Sequence, residues 1–264
     1  MDTDTAPPLL ELEGLSKNFG GLKALSDVSF TVPQGSVVAL IGPNGAGKTT
    51  ALNVMSGLDT PTSGRVRFGG RDITRMGPAR RVAIGMSRTF QVSSLLHGVT
   101  VLENVLVGWH LHFKSGFWGA VLTLPRQRAE ERRALEESKE LLQFFGIESA
   151  AERTMSELPY GQQRKVQLAR ALATGPRLLL LDEISAGLNP REVEDLGVSL
   201  NKVRERGVTL MVIEHNVPLV RRLADHVVVL RFGRKIAEGS PDEIAENAEV
   251  LEHFLGLGPQ NAGA

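Results

Sequence analysis

Gly42-Pro43-Asn44-Gly45-Ala46-Gly47-Lys48-Thr49-Thr50 has the spacing G-x-x-x-x-G-K-[ST], a loop whose backbone N–H groups wrap a chain of phosphates. The residues on either side supply the context this chemistry needs. Ser36-Val37-Val38-Ala39-Leu40-Ile41 is a nearly continuous apolar run and reads as a buried strand, and Thr49 to Met55 reads as a helix. Strand, glycine loop and helix let the backbone approach an anion closely and place a helix N-terminus, with its favourable dipole, behind it. Gly42, Asn44, Gly45, Ala46, Gly47, Lys48, Thr49 and Thr50 are therefore expected to hold a nucleoside triphosphate. Lys48 would reach the β- and γ-phosphates, and the Thr49 hydroxyl would coordinate Mg²⁺.

A second apolar run, Leu178-Leu179-Leu180-Leu181, ends in Asp182-Glu183. A carboxylate at the C-terminal end of a strand beside a phosphate loop is placed to hold Mg²⁺. Asp182 takes that role. Glu183 then points at the γ-phosphate, where it orients or deprotonates the attacking water.

Composition narrows the function. Thirty basic residues balance thirty acidic ones, so no basic excess points to nucleic acid. There is no cysteine, which removes disulfides and thiolate-held zinc. The acidic, polar start Met1-Asp2-Thr3-Asp4-Thr5-Ala6-Pro7-Pro8 lacks the pattern of a signal peptide. No apolar run reaches the ~20 residues of a membrane helix. The expectation is a soluble, cytoplasmic protein that meets a membrane only through a partner.

Alternation predicts strands over Leu9–Leu15 and Val28–Val32, and an edge strand over Gly64–Phe68. From Thr100 to Thr174 the pattern becomes helical, with an amphipathic, charge-dense helix over Arg126–Phe145. After Thr174 strand and helix alternate again. A helix is expected over Arg191–Arg206, a strand over Val208–Ile213, a short helix over Val217–Leu223 and a strand over Val227–Leu230. Ser240-Pro241-Asp242-Glu243 then opens a last helix with a capping box.

Leu158-Pro159-Tyr160-Gly161-Gln162-Gln163-Arg164, before a helix through Ala173, resembles the L-S-G-G-Q signature of ATP-binding cassette (ABC) ATPases. Pro159 stands in place of serine and Tyr160 in place of glycine. Gln91 in Thr89-Phe90-Gln91 is similar to the Q-loop glutamine, and His215 in Ile213-Glu214-His215 to the switch histidine. Ala186-Gly187-Leu188-Asn189 resembles the D-loop, with Asn189 where aspartate is usual. Phe19 fits the aromatic residue that stacks on adenine. The likeness runs from about Leu9 to Gly256. It is strongest to the LivG-type ATPases of branched-chain amino acid importers, through the signature, Ala186–Pro190, Val212–Asn216, the inserted stretch Val107–Pro125 and the ending Pro241–Leu255. Ile184 departs from the proline that commonly follows the catalytic glutamate.

That resemblance implies an α/β fold: a RecA-like P-loop NTPase core with an antiparallel β subdomain and an inserted α-helical subdomain. The single ABC ATPase domain would cover residues 9–256. Its core and β subdomain would occupy 9–99 and 175–240, its helical subdomain about 100–174 and its C-terminal helices 241–256, with flexible tails at 1–8 and 257–264. The cofactors implied are ATP and Mg²⁺, the metal held by Thr49, Gln91 and Asp182. Glu183, His215 and Gln91 would be catalytic. The signature residues Leu158, Pro159, Tyr160, Gly161 and Gln162 would act in trans, on a nucleotide held by a second ATPase chain in a head-to-tail dimer. The partners implied are that second ATP-binding subunit (a different chain or a copy), transmembrane permease subunits, and indirectly a solute-binding protein, with no nucleic acid.

The nearest rivals are the same engine for another cargo (urea, short amides, a carboxylate) or an exporter ATPase. A non-transport ABC protein fits poorly, since the insertion is too short for a DNA-repair member and the single phosphate loop too few for a translation factor. Trp109 and Trp118 fall in one short segment, expected to pack within the helical subdomain or to face a permease.

Overall fold

A computed structural model describes residues 7–89, 96, 98–112, 125–247 and 250. The elements run β1 (Leu10–Phe19), β2 (Leu22–Val32), β3 (Val37–Ile41), α1 (Lys48–Ser56), β4 (Ser63–Phe68), β5 (Arg71–Asp72), α2 (Pro78–Ala83), β6 (Met86–Arg88) and α3 (Val101–Leu106). They continue with α4 (Pro125–Phe144), α5 (Tyr160–Leu172), β7 (Leu178–Asp182), α6 (Pro190–Glu205), β8 (Thr209–Ile213), α7 (Val217–Leu223), β9 (His226–Arg231), β10 (Arg234–Gly239) and α8 (Pro241–Glu246).

Two sheets form. One is antiparallel and four-stranded, in the order β2-β1-β4-β5. The other is six-stranded, in the order β10-β9-β3-β8-β7-β6, and every pair in it is parallel except β10 with β9. A parallel sheet must be covered on both faces, so its strands are apolar throughout. Alternate residues then serve opposite sides. Leu179, Leu181, Leu210 and Val212 join a cluster with Val101, Leu142, Val166 and Leu200 from the helices. Leu178, Leu180, Met211 and Ile213 join a cluster with Leu10, Val28, Val66 and Leu52, which come from the antiparallel sheet and α1. Burying these side chains contributes about 1.5–3 kcal/mol each before chain entropy is counted.

The expected strands and helices form, with two differences. Gly64–Phe68 is not at the edge, because β5 pairs outside it at Arg67 and Phe68. Sequence analysis also missed β6, α2 and β10. β10 pairs on one side only, its sequence Arg-Lys-Ile-Ala-Glu-Gly is mostly polar, and none of it is fully buried, so it lacks the apolar signal of a central strand. Among the described residues of the expected helical stretch, α3, α4 and α5 form. Leu141, Leu142 and Phe145 are buried, and Leu135 and Trp109 pack on that cluster. Trp118 lies outside the described residues. No helix among the described residues is long and apolar enough to cross a membrane.

Arg81, on α2, ties the segment after β5 to the end of the helix behind the phosphate loop. It is 1 % exposed, and burial pushes its pKa down to about 10, so it stays charged at neutral pH. Its guanidinium donates to the carbonyls of Val54, Met55, Ile73, Thr74 and Met76 at 2.6–3.3 Å. These include two carbonyls at the end of α1, Val54 (which also accepts from the Gly57 N–H) and Met55. Arg81→Met is expected to leave several of these acceptors buried and unpaired, and to destabilise the chain by roughly 3–5 kcal/mol. Thermal unfolding without nucleotide checks this. The melting temperature should fall by about 10 °C, and a fall under 2 °C would contradict the role.

Candidate active site

The phosphate loop follows β3, His215 follows its neighbour β8, and Asp182 and Glu183 lie at the end of β7, the next strand beyond β8. Asp182 is the last residue of β7 and pairs with Ile213, the last of β8. Glu183 and His215 therefore leave adjacent strand ends side by side, in the crevice where α/β sheets bind ligands. His215 Nε2 lies 2.8 Å from Glu183 Oε1. Their side chains are 39 % and 46 % exposed, so the pair is open to solvent on a single chain.

The loop is shaped by contacts from two sides. Gly47 caps α1 at φ 101°, and a Cβ there would lie 2.6 Å from the Ala24 carbonyl on β2. At Gly42 a Cβ would lie 2.3 Å from the Leu230 carbonyl on β9. Only glycine satisfies both positions. The two-residue β9–β10 turn at Phe232 (φ 46°) and Gly233 (φ 74°) braces the loop further, through the Gly233 N–H donating to the Ala46 carbonyl at 3.0 Å. Pro43, Asn44 and Gly45 stand exposed at its crest.

Lys48 is buried. Its Nζ donates to the carbonyls of Gly42 (2.7 Å) and Pro43 (3.0 Å), so the ammonium holds the loop open. Burial lowers its pKa, while Glu183 and Asp182 pull it back up. Both acids therefore act on the charge that the phosphates would meet.

Asp182 carries a partner that sequence analysis missed. Arg88, at the end of β6, places Nη2 2.9 Å from Asp182 Oδ2 and donates through Nη1 to Asn53 Oδ1 at 2.8 Å. One Asp182 oxygen is thus engaged and the carboxylate is fixed in place. A Mg²⁺ ion fits a donor set of this kind. Thr49 is exposed beside the loop and offers a hydroxyl, Asp182 offers a carboxylate, and Mg²⁺ takes few protein oxygens and completes its shell with phosphate and water. No cluster of three or more His, Cys, Asp or Glu residues that would hold an ion by itself occurs among the described residues.

The remaining candidates are distributed as follows. Phe19 ends β1, is 47 % exposed and carries Lys17 Nζ 4.8 Å from its ring centroid. Asn189 caps α6, accepting from the N–H groups of Arg191 and Glu192. Pro159 caps α5 with its carbonyl, which accepts from Gln162 N at 3.0 Å and Gln163 N at 3.1 Å. Leu158 is buried, and Tyr160 is 38 % exposed with its ring against Gly187. Gly161 leaves room for the Glu192 carboxylate, which a Cβ would meet at 2.8 Å. Gln91 lies outside the described residues.

Glu183 has φ 45°, a left-handed conformation that is uncommon outside glycine. A following proline would push it towards extended backbone, and Ile184 does not. Sequence analysis also passed over the role of Glu214. It is 2 % exposed and accepts from Ser185 N (2.9 Å) and Ser185 Oγ (2.6 Å). The available signal was an acid directly after the four apolar residues Leu210–Ile213 of β8.

The ABC transporter family model matches residues 25–186. The chain belongs to the ABC transporter ATP-binding family. A model described as the branched-chain amino acid ATP-binding cassette transporter matches residues 234–257 of this ABC ATPase. It is 41 % identical over 251 residues to the high-affinity branched-chain amino acid transport ATP-binding protein BraF of Pseudomonas aeruginosa, covering 94 % of this chain and 98 % of that one. LivG of Escherichia coli, described in the same terms, is 37 % identical with the same coverage. Among solved structures, the ADP conformation of the cassette MJ1267 superposes with TM-score 0.83 at 32 % identity, covering 95 % of this ABC ATPase and all of that chain. The cassette MJ0796, in a dimeric post-hydrolysis state bound to ADP and Pi, superposes with TM-score 0.72 at 26 % identity over 88 % of this chain and 98 % of that one.

Proposed function

We propose that this chain binds and hydrolyses ATP to energise the uptake of branched-chain amino acids through partner permease subunits. The observation that carries this is the 2.8 Å Glu183–His215 pair at the ends of adjacent strands, with Glu183 and Asp182 both acting on the charge of Lys48.

In the mechanism, the loop N–H groups and Lys48 bind the phosphates, and Phe19 stacks on adenine. Glu183 accepts a proton from the attacking water. His215, held by Glu183, faces the γ-phosphate and stabilises its developing charge. Thr49, Asp182 and Gln91 would hold Mg²⁺, which would supply neutralisation of phosphate charge there. Because the catalytic pair is exposed on one chain, excluding water needs a second ATPase chain. In return, Gly161 and the N-terminus of α5 on this chain would close over the nucleotide held by that second chain. Pro159 has no hydroxyl to donate there, so the composite site on the partner's phosphate loop has one donor fewer. We assign the partner as a different ATPase chain, the location as the cytoplasmic face of the membrane through the permease, and the delivery of cargo to a solute-binding protein.

The experiment is ATP-driven uptake of labelled leucine, isoleucine and valine into proteoliposomes containing this chain, its partner ATPase and permease, with the solute-binding protein supplied. Accumulation that requires both ATP and this chain is expected. ATP turnover without uptake of any of the three would overturn the cargo.

A further inference from the structure

We propose that Arg164 and Glu214 are positioning residues that clamp the Ser185–Gly187 backbone from its two ends, so that the signature segment and the Glu183–His215 pair shift as one body. This rests on the functional reading above, in which the signature serves a neighbouring nucleotide and Glu183 serves the chain's own.

Arg164 lies one turn into α5 and is 5 % exposed. Its Nη1 donates to Gln167 Oε1 at 3.1 Å. Its Nη2 donates to the Tyr160 hydroxyl at 2.8 Å and to the Ala186 carbonyl at 3.3 Å. The Tyr160 ring in turn sits where a Cβ on Gly187 would meet it at 3.1 Å. One end of the segment is therefore fixed to the signature helix. The other end is fixed to β8, where Glu214 takes both the N–H and the hydroxyl of Ser185 and also accepts from His215 N at 3.3 Å. Burial lowers the Arg164 pKa, and Tyr160 and then Glu214 act against that lowering.

A buried guanidinium and a buried carboxylate are costly unless polar partners surround them. Here those partners are one short backbone segment and the two sites on either side of it. Glu183, two residues before Ser185, sits at φ 45°, a strained value that persists only where its surroundings determine it. Its N–H donates to Ile213 O at 2.9 Å, and the Ser185–Glu214 contact completes the restraint. Movement of the signature on docking a neighbouring nucleotide would therefore reach Glu183 and His215 without touching the chain's own ATP.

The test is a double-mutant cycle on ATP hydrolysis by the assembled transporter, with Arg164→Met, Glu214→Gln and the pair, and with Tyr160→Phe as a milder change. Each of the first two is expected to lower kcat about tenfold with KM for ATP unchanged within twofold, and Tyr160→Phe about threefold. The double variant should be no slower than the slower single, because either change releases the same segment. Losses that multiply to about a hundredfold, or that follow the fall in melting temperature, would mean separate structural effects and would overturn the proposal. If Arg164→Met does not fold, Tyr160→Phe with Glu214→Gln completes the same cycle. Glu183→Gln is run alongside. If it retains turnover, the catalytic pair itself is misassigned and the proposal goes with it, whereas a normal loss there with an additive cycle sinks the clamp alone.

Discussion

Glu183→Gln is expected to leave ATP binding intact and to lower steady-state turnover by about 10²–10⁴-fold, the range for loss of a general base. The amide keeps the size of the side chain and a hydrogen-bonding group within reach of His215 Nε2, now 2.8 Å from Oε1. It loses the negative charge that accepts the proton from water. The left-handed backbone at residue 183 is unchanged by the swap, so the fold should hold. The ATP-bound dimer should accumulate, since closure no longer leads to cleavage. Turnover within threefold of wild type would remove Glu183 from the catalytic role.

Lys48→Ala is expected to fail one step earlier. Its ammonium makes two hydrogen bonds to loop carbonyls and is the charge nearest the expected phosphates. Removing it takes away a charge-assisted contact and loosens the loop. A loss of about 3 kcal/mol corresponds to roughly a hundredfold weaker binding. Equilibrium titration with a nonhydrolysable ATP analogue measures it, and affinity within threefold of wild type would contradict the assignment.

Much of the site was legible because its signals are local. A loop needs its glycines in a row, and Gly47 at φ 101° and the crowded Gly42 show why. The acids at 182 and 183 announce themselves by ending an apolar run. The cap of Ser240 is a four-residue pattern and forms as read. Other residues gave no such signal. Arg88 carries no local signal, and only the pairing of β6 with β7 brings it to Asp182, 94 residues away. Arg81 follows another arginine in a stretch with no marked pattern, yet it is the most buried cation among the described residues.

The sequence by itself determined the phosphate loop, the carboxylate pair, the alternation of strands and helices, and the likeness to ABC ATPases. Each motif among these depends on residues close to one another in sequence, where period and spacing carry the information, and the likeness to ABC ATPases adds the order of such motifs along the chain. Only the tertiary structure decided which strand ends meet. β3 lies between β8 and β9 and β7 lies beyond β8, an order that the sequence does not display. That order sets Glu183 against His215, Arg88 against Asp182, and Arg164 and Glu214 on either side of one backbone segment. Contacts between buried charges depend on packing from several elements at once, so no local pattern can encode them.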